Sequence, residues 1–264
     1  MKAWNLFLAI PFTFLVACNN NANETDTDEP SKVIVNEKNL TLEERAERHI
    51  TGSLSIPATE KITIQSFKAH LNADNNEDAI VTVNRLEYAK EQVAKLSNAK
   101  YISQMGYMGN YNYFVFYDGK LDKFSVPIAT PSSALVPLNV MFENVYSDIY
   151  MNLTIEYRVN NAAFKNFYFL ENGILQKVFQ TKLFDYIGTD KPEAFFIEYA
   201  KGSISAPKDL LIYEGEIKNY RTDIKNAYEF QPVIEKKKDA KLVTSWFYNP
   251  SIAAYMTPET KPRD

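Results

Sequence analysis

Oxygen-bearing side chains occupy every second position of one short loop, namely Asn72, Asp74, Asn76 and Asp78. An apolar, extended run ending at Phe67 enters the loop, and a second apolar run, residues 79–83, leaves it. This pattern predicts a strand–loop–strand unit. Alternate side chains that converge on one point supply the oxygen ligands that a hard cation such as Ca²⁺ requires. The alternative is an Asn/Asp-rich turn whose side chains hydrogen-bond their own backbone.

The loop resembles the calcium loop of FG-GAP (integrin-like, VCBS-type) repeats, in which Asp-x-Asn-x-Asp-x-x-x-Asp precedes a hydrophobic strand. His70 stands where that pattern begins with an aspartate, and the match occurs once in the chain. The resemblance implies calcium as the one candidate cofactor, bound by the side chains of Asn72, Asp74 and Asp78 and by the carbonyl of Asn76. Histidine in the first position removes a negative charge and is a poor ligand for a hard cation. We therefore expect calcium binding no tighter than the millimolar range.

The first residues of the chain indicate export. Lys2 gives a positive start, and the apolar stretch over residues 3–16 has the length of a secretory leader and is too short for a membrane span. The stretch ends in Leu15-Val16-Ala17-Cys18, which resembles the lipobox of bacterial lipoproteins. In that family the signal peptide, here residues 1–17, is cut off and the cysteine is acylated. The alternative is an ordinary signal peptide that contains a cysteine.

The lipobox resemblance implies a lipid anchor on Cys18 and a location in the cell envelope, at the outer membrane. Cys18 is the only cysteine, so acylation leaves no thiol for catalysis, disulfides or soft metals. Residues 18–37 are polar and acidic, which predicts a disordered tether. A globular domain is expected over residues 38–256, and the proline-containing residues 257–264 predict a flexible tail.

The composition favours strands, because 17 Tyr and 17 Phe stand against only 8 Gly. Two hairpins are predicted, one turning at Asp118-Gly119 and one at Asn172-Gly173, because these dipeptides supply the positive φ angles of type I′ turns. A weaker third copy of the same pattern is centred on Gly215. Residues 151–159 alternate between apolar and polar types, which predicts a strand with one buried face and one solvent-exposed face.

Two short helices complete the prediction. Thr41-Leu-Glu-Glu44 fits a capping box and predicts a helix that ends near Gly52. The second helix follows from the spacing of Leu86, Ala89, Val93 and Leu96. The expected fold class is mainly β, or α+β, with packed antiparallel hairpin sheets. A propeller-like fragment is the alternative architecture.

Charge and motifs exclude several function classes. The net charge is −4 and no basic stripe is present, so no nucleic-acid partner is expected. The sequence has 2 histidines, no Gly-x-Ser-x-Gly elbow, no phosphate-binding glycine loop and no set of zinc ligands. No catalytic residue is therefore assigned.

The sequence thus predicts a non-enzymatic, lipid-anchored envelope protein that presents a β-rich domain to a protein or glycan ligand. The alternative is an envelope hydrolase that acts on polysaccharide through two carboxylates about 5–10 Å apart in an open cleft. A flat patch of exposed aromatic side chains would favour binding. The competing interpretation of the many aromatic residues is an ordinary core.

Overall fold

The computed structural model describes residues 40–257, which form three helices and two antiparallel sheets. The predicted signal peptide, the lipobox with Cys18, the tether up to residue 37 and the tail beyond residue 257 lie outside the described residues. The helices are α1 (Leu42–Ser53), α2 (Leu86–Ala94) and α3 (Ala99–Gln104). The first two confirm the predicted helices, whereas α3 was not predicted.

The start of α1 is the predicted capping box. Thr41 Oγ1 accepts a hydrogen bond from Glu44 N at 3.2 Å, and Glu44 Oε2 accepts one from Thr41 N at 2.7 Å. These bonds satisfy backbone donors that have no partner within the first turn of a helix.

Fourteen strands make up the two sheets. The small sheet contains β1 (Thr63–Ala69), β2 (Asp78–Asn84), β3 (Met108–Asp118), β4 (Lys123–Phe124) and β5 (Ile128–Ser133). The large sheet contains β6 (Asn139–Glu143), β7 (Asn152–Val159), β8 (Ala162–Glu171), β9 (Ile174–Asp185), β10 (Glu193–Ala200), β11 (Asp209–Ile217), β12 (Ile234–Lys236), β13 (Leu242–Asn249) and β14 (Ala254–Met256). The fold is mainly β, as predicted. Sheets of five and nine strands replace the similar blades of the propeller alternative.

Helix α1 and the two sheets stack in layers. Ile50 of α1 packs on one face of the small sheet, against Val81 and Val115. The opposite face of the small sheet, which carries Ile80 and Phe114, packs on strands β6–β9 of the large sheet. The main core therefore lies between the two sheets.

The large sheet bends sharply between β9 and β10. Only two residue pairs join these strands, of which Phe184 with Ala194 is one. Beyond the bend, β10, β11, β13 and β14 return over the second face of β8 and β9. A second core results, in which Phe167 and Phe179 contact residues such as Leu210.

The bend overturns the prediction of a solvent-exposed face on β7. Asn152, Thr154 and Arg158, which belong to that face, are all buried. They are covered by the folded-back part of the large sheet and by two segments of the chain, one around residue 145 and one at residues 227–230. Both faces of β7 are therefore largely interior, and Glu156 is the one residue of the predicted solvent face that stays partly exposed.

The two strong hairpin predictions have different outcomes. Strands β8 and β9 meet at Asn172 and Gly173, whose φ angles are 52° and 77°, as a type I′ turn requires. Strands β3 and β4 also form a hairpin, but its loop has four residues and the positive φ belongs to Asp122. The prediction of a positive φ at Gly119 is wrong. A Cβ at Gly119 would lie 2.1 Å from the carbonyl oxygen of Glu77, so close backbone approach is what requires glycine there.

The third copy of the hairpin is also wrong. Gly215 lies within β11, where it pairs with Ala194 of β10 and Lys236 of β12. The chain therefore does not repeat one hairpin unit three times.

Candidate functional site

The loop with alternating Asn and Asp residues connects β1 to β2, so the predicted strand–loop–strand unit is confirmed. Asn72 Oδ1 accepts a hydrogen bond from Asp74 N at 2.8 Å, and Asp74 Oδ1 accepts one from Asn76 N at 2.9 Å. These are two successive Asx turns, which are local bonds between side chain and backbone. The bond from Asn76 N lowers the pKa of Asp74.

Hydrogen bonds to Asp78 connect this loop to the rest of the small sheet. Its carboxylate is fully buried, and Oδ2 accepts from Leu71 N at 3.1 Å and from Asn72 Nδ2 at 3.3 Å. Oδ1 accepts from Gly119 N in the β3–β4 loop, also at 3.1 Å. Burial raises the pKa of Asp78 because the charged form loses its hydration.

His70 completes the loop through Nδ1, which lies 2.9 Å from the carbonyl oxygen of Asn76. In the described part of the chain, no three His, Cys, Asp or Glu side chains are grouped closely enough to hold a metal ion. The geometry is that of an Asn/Asp turn, and calcium binding by Asn72, Asp74, Asn76 and Asp78 stays a prediction.

The aromatic side chains chiefly build the cores. Phe114 and Phe116 of β3 lie between the sheets, and Phe167 and Tyr248 lie in the second core. Within residues 40–257, the aromatic side chains with large exposure are Tyr101 at 62% and Tyr186 at 47%, on α3 and in the loop after β9. The ordinary-core interpretation therefore holds for most of the aromatic residues.

A cleft of about 500 Å³ opens between β1, the edge strand of the small sheet, and the end of β7. The pairing of β6 with β7 runs from Asn139, which lies opposite Glu156, to Glu143, which lies opposite Asn152. The last three residues of β7 therefore have no strand partner on the β6 side. The apolar walls include Phe67, Tyr157 and Phe184. The polar side chains in the lining are Gln65, Asn139, Glu156, Arg158 and Gln231.

Buried asparagines position one lip of this cleft, the crossover of residues 134–138 between β5 and β6. Asn84 Nδ2 donates to the carbonyl of Ala134 at 2.8 Å, and Asn112 Nδ2 donates to that of Val136 at 3.3 Å. The two amides also bond each other, with Asn84 Nδ2 2.8 Å from Asn112 Oδ1. The network holds an irregular segment in one conformation and so fixes the shape of the cleft.

A cluster of charged side chains borders the cleft. Lys165 of β8 is buried, and its Nζ lies 2.9 Å from Glu143 Oε1 and 3.7 Å from Glu156 Oε1. Asn139 Nδ2 donates to Glu156 Oε2 at 3.0 Å, and the Tyr199 hydroxyl donates to Glu143 Oε2 at 2.9 Å. Burial, together with the charge of Glu143, raises the pKa of Tyr199 far above its ordinary range.

The cluster supplies only part of what a two-carboxylate hydrolase needs. Glu156 lines the cleft, whereas Glu143 does not. A general acid must hold a proton that it can give to the leaving group. Both carboxylates instead form ion pairs with the same Lys165 ammonium group, and each also accepts a hydrogen bond from a second donor.

Arg158 is the unexpected residue of the cleft. It is 5% exposed, Nη1 donates to the carbonyl of Phe230 at 3.1 Å, and Nη2 donates to that of Ala227 at 2.5 Å. Its guanidinium lies 4.8 Å from the centre of the Phe184 ring. Burial lowers the pKa of Arg158 to about 10. Nε has no hydrogen-bond partner, and no carboxylate in residues 40–257 forms an ion pair with this side chain.

Sequence reasoning missed the cluster and Arg158, although one signal was present. Strands β7 and β8 are joined by Asn160 and Asn161, and Asn160 has a positive φ of 55°. Taken as a two-residue turn, this dipeptide sets Glu156 directly opposite Lys165. The loss of the solvent face of β7 has no comparable signal in the sequence.

No protein-family model matches this chain, and neither a curated protein nor a solved structure matches it. No helix of the described part of the chain is long and apolar enough to cross a membrane.

Proposed function

We propose that this chain is a lipid-anchored protein of the cell envelope that binds a saccharide, without catalysis, in the cleft between β1 and β7. The observation that carries the proposal is the lining of the cleft, which combines apolar and aromatic residues with a few polar side chains. This is the usual composition of a small-ligand site. Amides and charged groups such as Gln65, Gln231 and Glu156 suit sugar hydroxyls, and the partly buried Phe67 offers a surface for the sugar ring.

The shape of the site favours a glycan over a protein partner. A stable protein–protein interface buries roughly 800 Å² on each partner, generally over a broad surface. The cleft instead is a concave space of about 500 Å³, and the exposed aromatic residues Tyr101 and Tyr186 stand on separate elements.

Binding is tested with full-length protein in detergent on an array of bacterial and plant polysaccharides. We expect binding to a defined group of glycans that soluble fragments of the same glycans compete away. Failure to bind any glycan on a broad array would refute the saccharide proposal.

The anchor is part of the proposal and is supported by Leu15-Val16-Ala17-Cys18. Metabolic labelling with a palmitate analogue should mark the wild-type protein and fail on Cys18→Ser. The wild type should also fractionate with the outer membrane. Equal labelling and membrane association of the serine variant would show that the lipoprotein assignment is wrong.

Hydrolysis of the bound polysaccharide is the second candidate function. Glu156 faces the cleft, and Glu143 approaches the same lysine, so two carboxylates stand close together at its border. An enzyme would release reducing ends from a glycan that binds on the array. Glu156→Gln would abolish that release while the variant continued to bind. With a non-catalytic protein no reducing ends appear in either sample.

A further inference from the structure

We infer that the saccharide bound in this cleft carries a carboxylate, as a uronic acid does, and that this carboxylate pairs with Arg158. The inference rests on the proposed function and goes beyond it by naming the chemical class of the ligand. Its starting point is a positive charge in the interior that no acidic side chain of residues 40–257 balances.

The protein compensates the charge of Arg158 only in part. Two carbonyls, those of Ala227 and Phe230, accept from its Nη groups, and aromatic rings lie beside the guanidinium. Nε has no partner. An unpaired buried charge is costly, and the cost falls when an opposite charge joins it.

Glu156, the other charged residue in the lining, does not form an ion pair with Arg158. Glu156 is bound to Lys165 and to Asn139, on the side of the cleft where the charged cluster lies. Arg158 instead faces the segment that contains residues 227–231. Among residues 40–257, the cleft therefore has one carboxylate that is already ion-paired and one cation without a counterion.

The donor geometry of Arg158 selects a planar anion. Guanidinium presents its N–H groups as a rigid fork that matches the two oxygens of a carboxylate. A neutral sugar offers hydroxyl and ring oxygens, which accept single, weaker bonds. An acidic sugar should therefore bind more tightly than an uncharged sugar of the same shape.

The competing interpretation is that Arg158 only holds the segment around residues 227–230 against the large sheet through the two carbonyl bonds. This interpretation predicts no preference for a charged ligand. The two interpretations separate in a binding experiment, because a structural arginine contributes equally to the binding of acidic and neutral sugars.

The experiment is isothermal titration calorimetry of full-length protein with trimers of galacturonate and of glucuronate. The matched control ligand for each is its methyl ester, which keeps the sugar shape and loses the charge. For at least one of the two trimers, we expect the acid to bind at least tenfold more tightly than the ester. The difference should shrink as salt is added, because salt screens the charges.

Two variants assign any preference to Arg158. Arg158→Gln should bind acid and ester within threefold of each other. Arg158→Lys, which keeps the charge and loses the fork, should retain only part of the preference. If one variant fails to fold, the other still assigns the preference. Equal affinities of the wild type for acid and ester overturn the inference without either variant.

Equal affinity of the wild type for acid and ester would overturn the inference and leave saccharide binding intact. Binding of neither form would overturn the inference as well, and the polysaccharide array then decides separately whether the proposed function survives. A preference for the acid that persists unchanged in Arg158→Gln would also overturn it.

Discussion

The buried carboxylate of Asp78 gives the sharpest stability prediction. Asp78→Asn keeps the shape of the side chain but replaces one acceptor oxygen with an NH₂ donor. Whichever way the amide turns, that donor faces a backbone N–H, either of Leu71 or of Gly119. One charge-assisted hydrogen bond is lost, worth about 1.5–3 kcal/mol, and a buried N–H left without a partner costs about 1–3 kcal/mol more.

An opposing contribution comes from desolvation. Burial raises the pKa of Asp78, which means that the charged form loses free energy that a neutral asparagine does not lose. The lost hydrogen bond and the unpaired N–H outweigh this contribution, so we expect Asp78→Asn to lower the free energy of unfolding by about 2–3 kcal/mol.

Urea unfolding at neutral pH, followed by circular dichroism, measures this change. The matched control is Asp74→Asn in the same loop, which retains the oxygen that accepts from Asn76 N and should lower the unfolding midpoint far less than Asp78→Asn does. Equal and small shifts for the two variants would refute the role given to Asp78, because its bonds would then contribute no more than those of an exposed turn.

Three further predictions concern a pair of glycines, a buried tyrosine and calcium. Gly119→Ala should destabilise the protein by about 2 kcal/mol or more and Gly173→Ala by about 1 kcal/mol, because only the first Cβ meets backbone, at Glu77; equal urea midpoints would contradict this. Burial raises the pKa of Tyr168 to about 12. The contribution of the neutral side chain to the free energy of unfolding is therefore complete below the pKa of the unfolded chain, near 10, and is lost as the pH rises toward 12. The loss of about 3 kcal/mol should appear as phenolate absorbance that develops together with unfolding, and ionisation of every tyrosine before unfolding would contradict it. Millimolar calcium, compared with chelator, should raise the Tm of His70→Asp more than that of the wild type, because aspartate restores the missing acidic ligand; no shift in either protein would leave the loop a turn that binds no ion.

Local signals in the sequence predicted local structure well. The capping box at Thr41 marked the start of α1, and Asn172-Gly173 marked the β8–β9 turn with its positive φ angles. Both features depend on residues that are neighbours in the chain. At Asp118-Gly119 the same reasoning failed, because the contact that requires glycine comes from Glu77, which lies in the loop between β1 and β2.

The candidate site depends on contacts that no local pattern contains. Tyr199 reaches Glu143 across 56 positions, and Arg158 reaches Ala227 across 69. Both contacts exist because the large sheet bends after β9 and because the segment before β12 lies over the end of β7. An alternating strand such as β7 indicates two different faces, but it does not show whether the polar face meets water or another part of the chain.

The most direct test of the central claim, that the cleft beside β1 holds the ligand, compares two tryptophan substitutions on one strand. Gln65→Trp places an indole in the cleft, whereas Thr63→Trp places one on the same face of β1, two residues away and outside the lining. Both positions are exposed, so neither change disturbs a core. Calorimetry with a glycan selected on the array should show at least tenfold weaker binding by Gln65→Trp and wild-type affinity for Thr63→Trp. Equal affinities of the two variants would contradict the assignment of this cleft as the binding site.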